Sequence, residues 1–325
     1  MTDRHGDKKG IALILVIWIL AILMVIVLSF AYMTKVESGS TISFKEGVEE
    51  KFIAEAGVER AAEEIIYRKI NLGVPIEEGK EGNVWKTDGT PNTFTVGDGT
   101  CLVRIIDESG KLDINKVSDI VLKGLLLNIG VKDEDADTIV DSIEDWRDAD
   151  DLVRLHGAES DYYMSLPVPY KAKNADFESV NELLLIKGMT QEILHGGEKQ
   201  AGLADFVTVY SDRAQINVSA APKEVLMAVP GMTPEIAGNI IDFRKTTEIR
   251  TLADIQSVVG GAFTAMAPFI AAGESSTFTI ESVGRTSSKK AGYGVKAVIT
   301  IAGNKFSYRS FESPWDMSKW KQPAQ

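Results

Sequence analysis

Residues 11–34 read IALILVIWILAILMVIVLSFAYMT, a run of 24 residues without a charge. At a helical rise of about 1.5 Å per residue, such a run crosses the roughly 30 Å hydrocarbon core of a bilayer. Arg4, Lys8 and Lys9 stand before it, while Lys35 and then Glu37 follow. That asymmetry keeps the short N-terminus in the cytoplasm and sends the rest of the chain to the other side.

A secretory signal peptide, a plain signal anchor and a leader cut on its cytoplasmic side all begin with such a segment. Ser29 and Ala31 form a small-x-small pair, but the apolar stretch exceeds the roughly 7–15 residues of a signal-peptide core. The hydrophilic leader ends in Lys8-Lys9-Gly10 directly before the apolar run. That pattern is similar to type IV prepilins, with Gly10 as the cleavage position and Ile11 as the new N-terminus. Helical periodicity continues past the span, where Phe44, Val48, Phe52, Ala56 and later Ile65 and Ile66 recur among charged neighbours. One helix is expected from about Ile11 to Arg68, roughly 90 Å long. Its first half faces lipid and its second half is amphipathic, so Phe44, Val48 and Phe52 are candidates for contact with neighbouring subunits. Gly39, Gly47 and Gly57 each cost such a helix about 1 kcal/mol relative to Ala. They read either as a flexible junction or as points of close helix packing in an assembly.

Beyond this helix, the turn signals Asp88-Gly89, Asp98-Gly99 and Ser109-Gly110 separate β-prone runs such as Thr93–Val96 and Leu102–Ile106. The same character returns in Thr277–Val283, Val295–Ile301 and Phe306–Ser310. Residues 114–273 read mostly as helices. The expected fold is α+β and pilin-like, a long N-terminal helix on a small antiparallel sheet, with a large all-α insertion. The implied segments are a leader (1–10), a transmembrane part (11–34), a first pilin-like part (35–113), the insertion (114–273), the last strands (274–313) and a polar tail (314–325). Trp315 and Trp320 in that tail suit either a cover for a sheet edge or a partner contact.

Within the insertion, the stretch from Leu112 to Arg147 and the stretch from Ala214 to Arg244 share an Ile-Asn start, a helix, a Gly turn and a second helix. Gly130, Ala136 and Val140 match Gly231, Ala237 and Ile241, and Gly188 heads a shorter third copy. VLMAVPGMTPEIAGNIIDFR resembles the helix-hairpin-helix motif, whose backbone amides can meet a DNA phosphate. Phosphate affinity comes mainly from Lys and Arg, and the hairpin from Pro230 to Pro234 holds neither. With 35 basic against 47 acidic residues and a formal charge of -12, the chain repels nucleic acid. A membrane-anchored helix-hairpin-helix DNA-binding protein is the alternative reading, and structural use of the motif is favoured.

The densest polar cluster is IEDWRDADDLVRLHGAESDYY, with Asp145, Asp148, Asp150, Asp151 and Glu159 as candidate metal ligands. Crowded carboxylates repel unless a cation sits among them, and calcium takes about six to eight oxygens. Asp148, Asp150 and Glu159 occupy positions 1, 3 and 12 of an EF-hand loop, but Leu152 and Val153 stand at positions 5 and 6, so the loop is not an EF-hand. A calcium site and a solvated acidic helix end capped by Asp150 or Asp151 both remain open readings. Cys101, the one cysteine, lies in a β-prone run and reads as a small core residue rather than a nucleophile. No G-x-S-x-G, Walker loop or H-E-x-x-H is present, so no catalytic residue is assigned.

The segments DWRDADD, HGAESDYY, PYKAKNADFESVNELLLIKGMT and INVSAAPKEVLMAVPGM are together very similar to the protein K minor pseudopilins of type II secretion. Leu15, five residues into the processed chain, agrees: most pilin-like subunits carry a Glu there, and this family lacks it. Such a carboxylate can pair with a neighbour's free amine, whereas an ion alone in lipid is expensive, so its absence suits a terminal position. The resemblance implies a non-enzymatic subunit at the tip of the pseudopilus, the fibre that exports folded proteins across the outer membrane. It also implies processing by prepilin peptidase, partners in the minor pseudopilins called proteins I and J, a single pass through the inner membrane and the bulk of the chain in the periplasm. Family members bind calcium in their pilin-like part; placing calcium at the acidic cluster is a separate step.

Overall fold

The computed structural model describes residues 7–71, 85–197, 200–211, 213–273, 275–287, 292–317 and 320. Helix α1 (Asp7–Ile70) runs 64 residues without a break, roughly 96 Å at the standard rise. It contains no proline, and it begins before Ile11, so Gly10 and Ile11 both lie inside helical backbone. Among the described residues of its first half, Leu15 and the side chains around it are exposed.

The second half meets a five-stranded antiparallel sheet through Ile53, Ala54, Gly57, Val58, Ala61, Ala62 and Ile65, which share one helical face. Small residues dominate this stripe because the backbone must come close. A Cβ added at Gly57 would fall on Ser282 and Cys101, and one at Gly284 would fall on the α1 backbone at Glu50 and Ala54. Gly57 is therefore neither a flexible junction nor a contact between subunits; it seats α1 on its own sheet. A Cβ added at Gly39 or Gly47 would meet no described residue beyond the helix's own turns within 4 Å, and both leave the helix unbroken.

Strands β1 (Asp88–Val96) and β2 (Gly99–Asp107) form a hairpin at the Asp98-Gly99 signal. The chain then leaves the sheet and returns as β7 (Thr277–Arg285), β8 (Tyr293–Ala302) and β9 (Lys305–Glu312), giving the order β1-β2-β7-β8-β9. Departure and return are direct neighbours, with Asp107 paired opposite Phe278. Cys101, Val103, Ile105, Phe278, Ile280, Val295, Ala297 and Ile299 fill the side facing α1. On the other side, the Trp315 amide donates to the Gly294 carbonyl at 2.8 Å. There the Arg104 guanidinium sits 4.0 Å from the centre of the Trp320 ring. The tryptophans thus cover the outer face of interior strands β2 and β8, not a sheet edge.

The excursion between β2 and β7 is built from two similar units. In the first, β3 (Leu112–Asp113) leads into α2 (Asp119–Asn128) and α3 (Asp133–Arg147), then α4 (Ser160–Met164) and α5 (Gln191–His195), and β4 (Val207–Thr208) closes it parallel to β3. In the second, β5 (Ile216–Asn217) leads into α6 (Lys223–Met227), α7 (Pro234–Thr246), α8 (Leu252–Val259) and α9 (Phe263–Met266), and β6 (Ile270–Ala271) closes it parallel to β5. Helices dominate, but these two ladders make the insertion not wholly α. Because Leu112 and Asp113 pair with Val207 and Thr208, they belong to the insertion and not to the pilin-like sheet.

The repeat is real, with a register two residues from the Ile-Asn match. Asp113 and Asn217 are equivalent: each accepts through Oδ1 from the amide two residues on, and through its carbonyl from the amide four residues on. The hairpin glycines Gly130, Gly188 and Gly231 all take φ between 85° and 90°, where a Cβ is disfavoured. Thr190 and Thr233 then cap the following helices by accepting from the amides of Ile193 and Ile236.

A buried polar joint fixes this insertion to the sheet. Asp107 accepts from the Ser109 amide at 2.9 Å and hydroxyl at 2.7 Å, from the Ser275 amide at 3.0 Å and hydroxyl at 2.6 Å, and from Asn217 at 3.4 Å. Glu108 accepts from Lys111 and Thr279, each at 2.7 Å, and from the Thr208 hydroxyl. Burial alone would raise the Glu108 carboxyl, but the Lys111 ammonium and these hydrogen bonds hold it below its ordinary value.

Candidate functional sites

Phe44 and Phe52 stand exposed on α1 and Val48 is at the edge of exposure, on a different face from Ile65, which is buried against the sheet. The single stripe expected from Phe44 to Ile66 therefore splits in two. Ala54, Gly57, Ala61 and Ala62 take the sheet side with Ile53, Val58 and Ile65, and the aromatic Phe44 and Phe52 stay outside. Phe52, Glu55, Ala56 and Glu59 form an open groove with Tyr308 and Phe311 of β9. The Tyr308 hydroxyl donates to Glu59 at 2.7 Å, fixing one wall. Exposed apolar side chains thus recur along α1 from the membrane-length segment up to the groove at β9.

In the insertion, α3 ends at Arg147 and the chain turns at Asp148. Beneath this turn Trp146 packs against Tyr163, Tyr170 and Phe177, with ring centres 5.3, 6.2 and 6.3 Å away, which brings Glu159 and the segment near Asn174 beside it. Carboxylate oxygens of Asp148, Asp150 and Glu159 lie within 4.8 Å of one another. Glu159 is 5% exposed, and among the described residues neither of its oxygens has a hydrogen-bond partner that meets ordinary geometry, nor does Asp148 Oδ1. Burial, then the charges of Asp145, Asp148 and Asp151, push the Glu159 carboxyl up to about 7.

Two of the sequence candidates play other parts. Asp145 accepts from the Arg154 guanidinium at 2.9 Å and from its amide, while Asp151 is exposed and outside the group of three. Asn174 carried no sequence signal. It donates to the Asp150 carbonyl at 3.4 Å from a backbone with φ of 50°, and its buried Oδ1 has no partner among the described residues. The donor set is all oxygen, from carboxylates and an amide, which fits a hard cation of the calcium type.

The remaining candidates are structural. Cys101 is fully buried, 3.3 Å from the Ser282 hydroxyl, and burial pushes its thiol up to about 11, far from a reactive thiolate. Arg147 donates to the Ile114 carbonyl at 2.6 Å and Arg244 to the Ala221 carbonyl at 2.7 Å. Both tie down loops inside the insertion, so neither guanidinium is presented to a phosphate.

A helix of membrane-spanning length and apolarity, laid by its second half on an antiparallel sheet, defines the pilin-like class. A family model for type II secretion system (T2SS), protein K matches residues 102–212. The type II secretion system protein K of Pseudomonas aeruginosa is 30% identical over 257 residues, 74% of this chain and 73% of its own length. That of Klebsiella pneumoniae is 24% identical over 265 residues, 77% and 78% of the two chains. A chain in the crystal structure of the GspK-GspI-GspJ complex from enterotoxigenic Escherichia coli shares the fold. Its TM-score is 0.64 over 85% of this chain and 100% of that one, at 16% identity. This chain belongs to the type II secretion system protein K family and is a minor pseudopilin. Nothing in these likenesses supports a DNA-binding role.

Proposed function

We propose that this minor pseudopilin is the tip subunit of the pseudopilus, helping to initiate or cap the fibre that exports folded proteins, and that it does no chemistry of its own. The carrying observation is the architecture of the described residues: an exposed apolar helix, Leu15 without a carboxylate, and a bulky insertion rooted between two adjacent strands. A filament-body subunit must stack on both sides. An insertion of this size suits a position with no subunit above it.

Cleavage after Gly10 by prepilin peptidase exposes the Ile11 amine. The first half of α1 then holds the chain in the inner membrane, with the bulk in the periplasm. The groove of Phe52, Ala56, Tyr308 and Phe311 offers its apolar surface to proteins I and J, in keeping with the assembly that gives the E. coli complex its name. Calcium at Asp148, Asp150 and Glu159, with Asn174 beside them, would neutralise the carboxylates and hold the turn after α3 to the segment before α4. The partnerless, buried Glu159 carboxylate supports this.

Co-expression with proteins I and J tests the assembly. The three are expected to purify together, and Phe52→Asp to weaken the complex by about tenfold or more, because it places a charge in an apolar contact. A wild-type chain that stays apart from both would refute the proposal.

A further inference from the structure

The turn after α3 carries an apolar surface that the fold does not use. Leu152 is 76%, Val153 61% and Leu155 89% exposed. These side chains are not on a slack loop. The Leu152 amide donates to Asp150 at 2.8 Å, Arg154 is clamped to Asp145 at 2.9 Å and Asp148 at 2.6 Å, and the His156 amide donates to Asp141 at 3.0 Å. Gly157 fits against Asp145 with no room for a Cβ. Lys187 donates to the carbonyls of His156 and Gly157, at 3.0 and 2.9 Å, and lies 5.4 Å from the centre of the Tyr162 ring. Tyr162 therefore joins the same surface.

Large apolar side chains held out on a fixed scaffold cost little entropy to bury, and contiguous ones mark interaction sites. The rim gives the sign of the partner. Asp151 and Asp161 are exposed around the apolar residues, whereas two neighbouring cations are engaged, Arg154 on Asp145 and Asp148, Lys187 on two carbonyls. An acidic rim on a chain of charge -12 repels anionic lipid. It attracts a protein surface rich in Lys or Arg.

We infer that Leu152, Val153, Leu155 and Tyr162, with their acidic rim, form a docking surface for a folded protein that presents an apolar pocket bordered by Lys or Arg. This surface lies on the insertion, apart from the α1 groove. Its effect on export rests on the proposed tip role.

The test uses the full chain in secreting cells. Leu152→Asp with Leu155→Asp is expected to lower export by about tenfold or more, as for loss of a hot spot, while the chain still purifies with proteins I and J. Asp151→Lys with Asp161→Lys is expected to lower it as well. Undiminished export with an intact complex overturns the docking surface alone; a wild-type chain that never joins proteins I and J counts instead against the tip role. A photo-crosslinking residue in place of Leu155 gives a second readout that does not need that role. The expected adduct is a protein whose contacted peptide carries Lys or Arg, and the adduct is lost with Asp151→Lys. An adduct to lipid, to an acidic peptide or to nothing overturns the inference.

Discussion

At the joint between sheet and insertion, Asp107 and Glu108 are buried and each accepts several hydrogen bonds, with Lys111 supplying a charge. At the turn after α3, Glu159 is almost as buried and accepts none from the described residues, with Asp148 and Asp150 close by. The two settings move the carboxyls in opposite directions, Glu108 below its ordinary value and Glu159 up to about 7. A buried carboxylate with partners is a piece of architecture. One without them, beside two further carboxylates, is where the proposed calcium would sit.

Breaking the joint should have the largest effect. Glu108→Ala leaves the half-buried Lys111 without its nearest counter-charge, and a loss of about 3 kcal/mol is expected in denaturant unfolding. The same pair sets a pH dependence. Because the folded Glu108 carboxyl titrates below its ordinary 4.5, its stabilisation is present above that pH and fades as pH falls further. Glu108→Gln should flatten that acid limb. An unchanged acid limb would mean that the joint is not held by charge.

The turn should respond to metal instead. Calcium at about one hundred times its dissociation constant is expected to add about 2.7 kcal/mol, read as a rise in Tm that a chelator reverses. Asp148→Ala or Asp150→Ala should abolish the rise. Glu159→Gln should abolish it too, yet leave the calcium-free protein at least as stable as the wild type, since it removes a charge among like charges. A calcium-free Glu159→Gln protein much less stable than the wild type would erase the distinction between the two clusters.

The contrast also marks what could be read in the sequence. The strands at Leu102–Ile106 and Val295–Ile301 were legible because a sheet covered on one face imposes alternation. α1 was legible from a long charge-free run followed by continued helical period, and the hairpins from glycines at matched positions. Which face of α1 meets the sheet was not. Large apolar residues such as Phe52 look like core, but close approach selected Ala54, Gly57, Ala61 and Ala62 instead. The joint was hidden for another reason. Asp107 and Glu108 read as a polar turn after a strand, while their partners Thr208, Asn217, Ser275 and Thr279 come from distant segments. The acidic cluster showed as composition, but which of its members point inward depends on Trp146 and its aromatic neighbours. Asn174 entered only through the folded chain.

The proposed function requires the chain to leave its leader behind. Intact-mass analysis of the membrane-extracted protein tests that most directly. The expected chain begins at Ile11 and carries a methylated amine. A chain beginning at Tyr32, or one that retains Met1 through Gly10, would contradict processing as a pseudopilin.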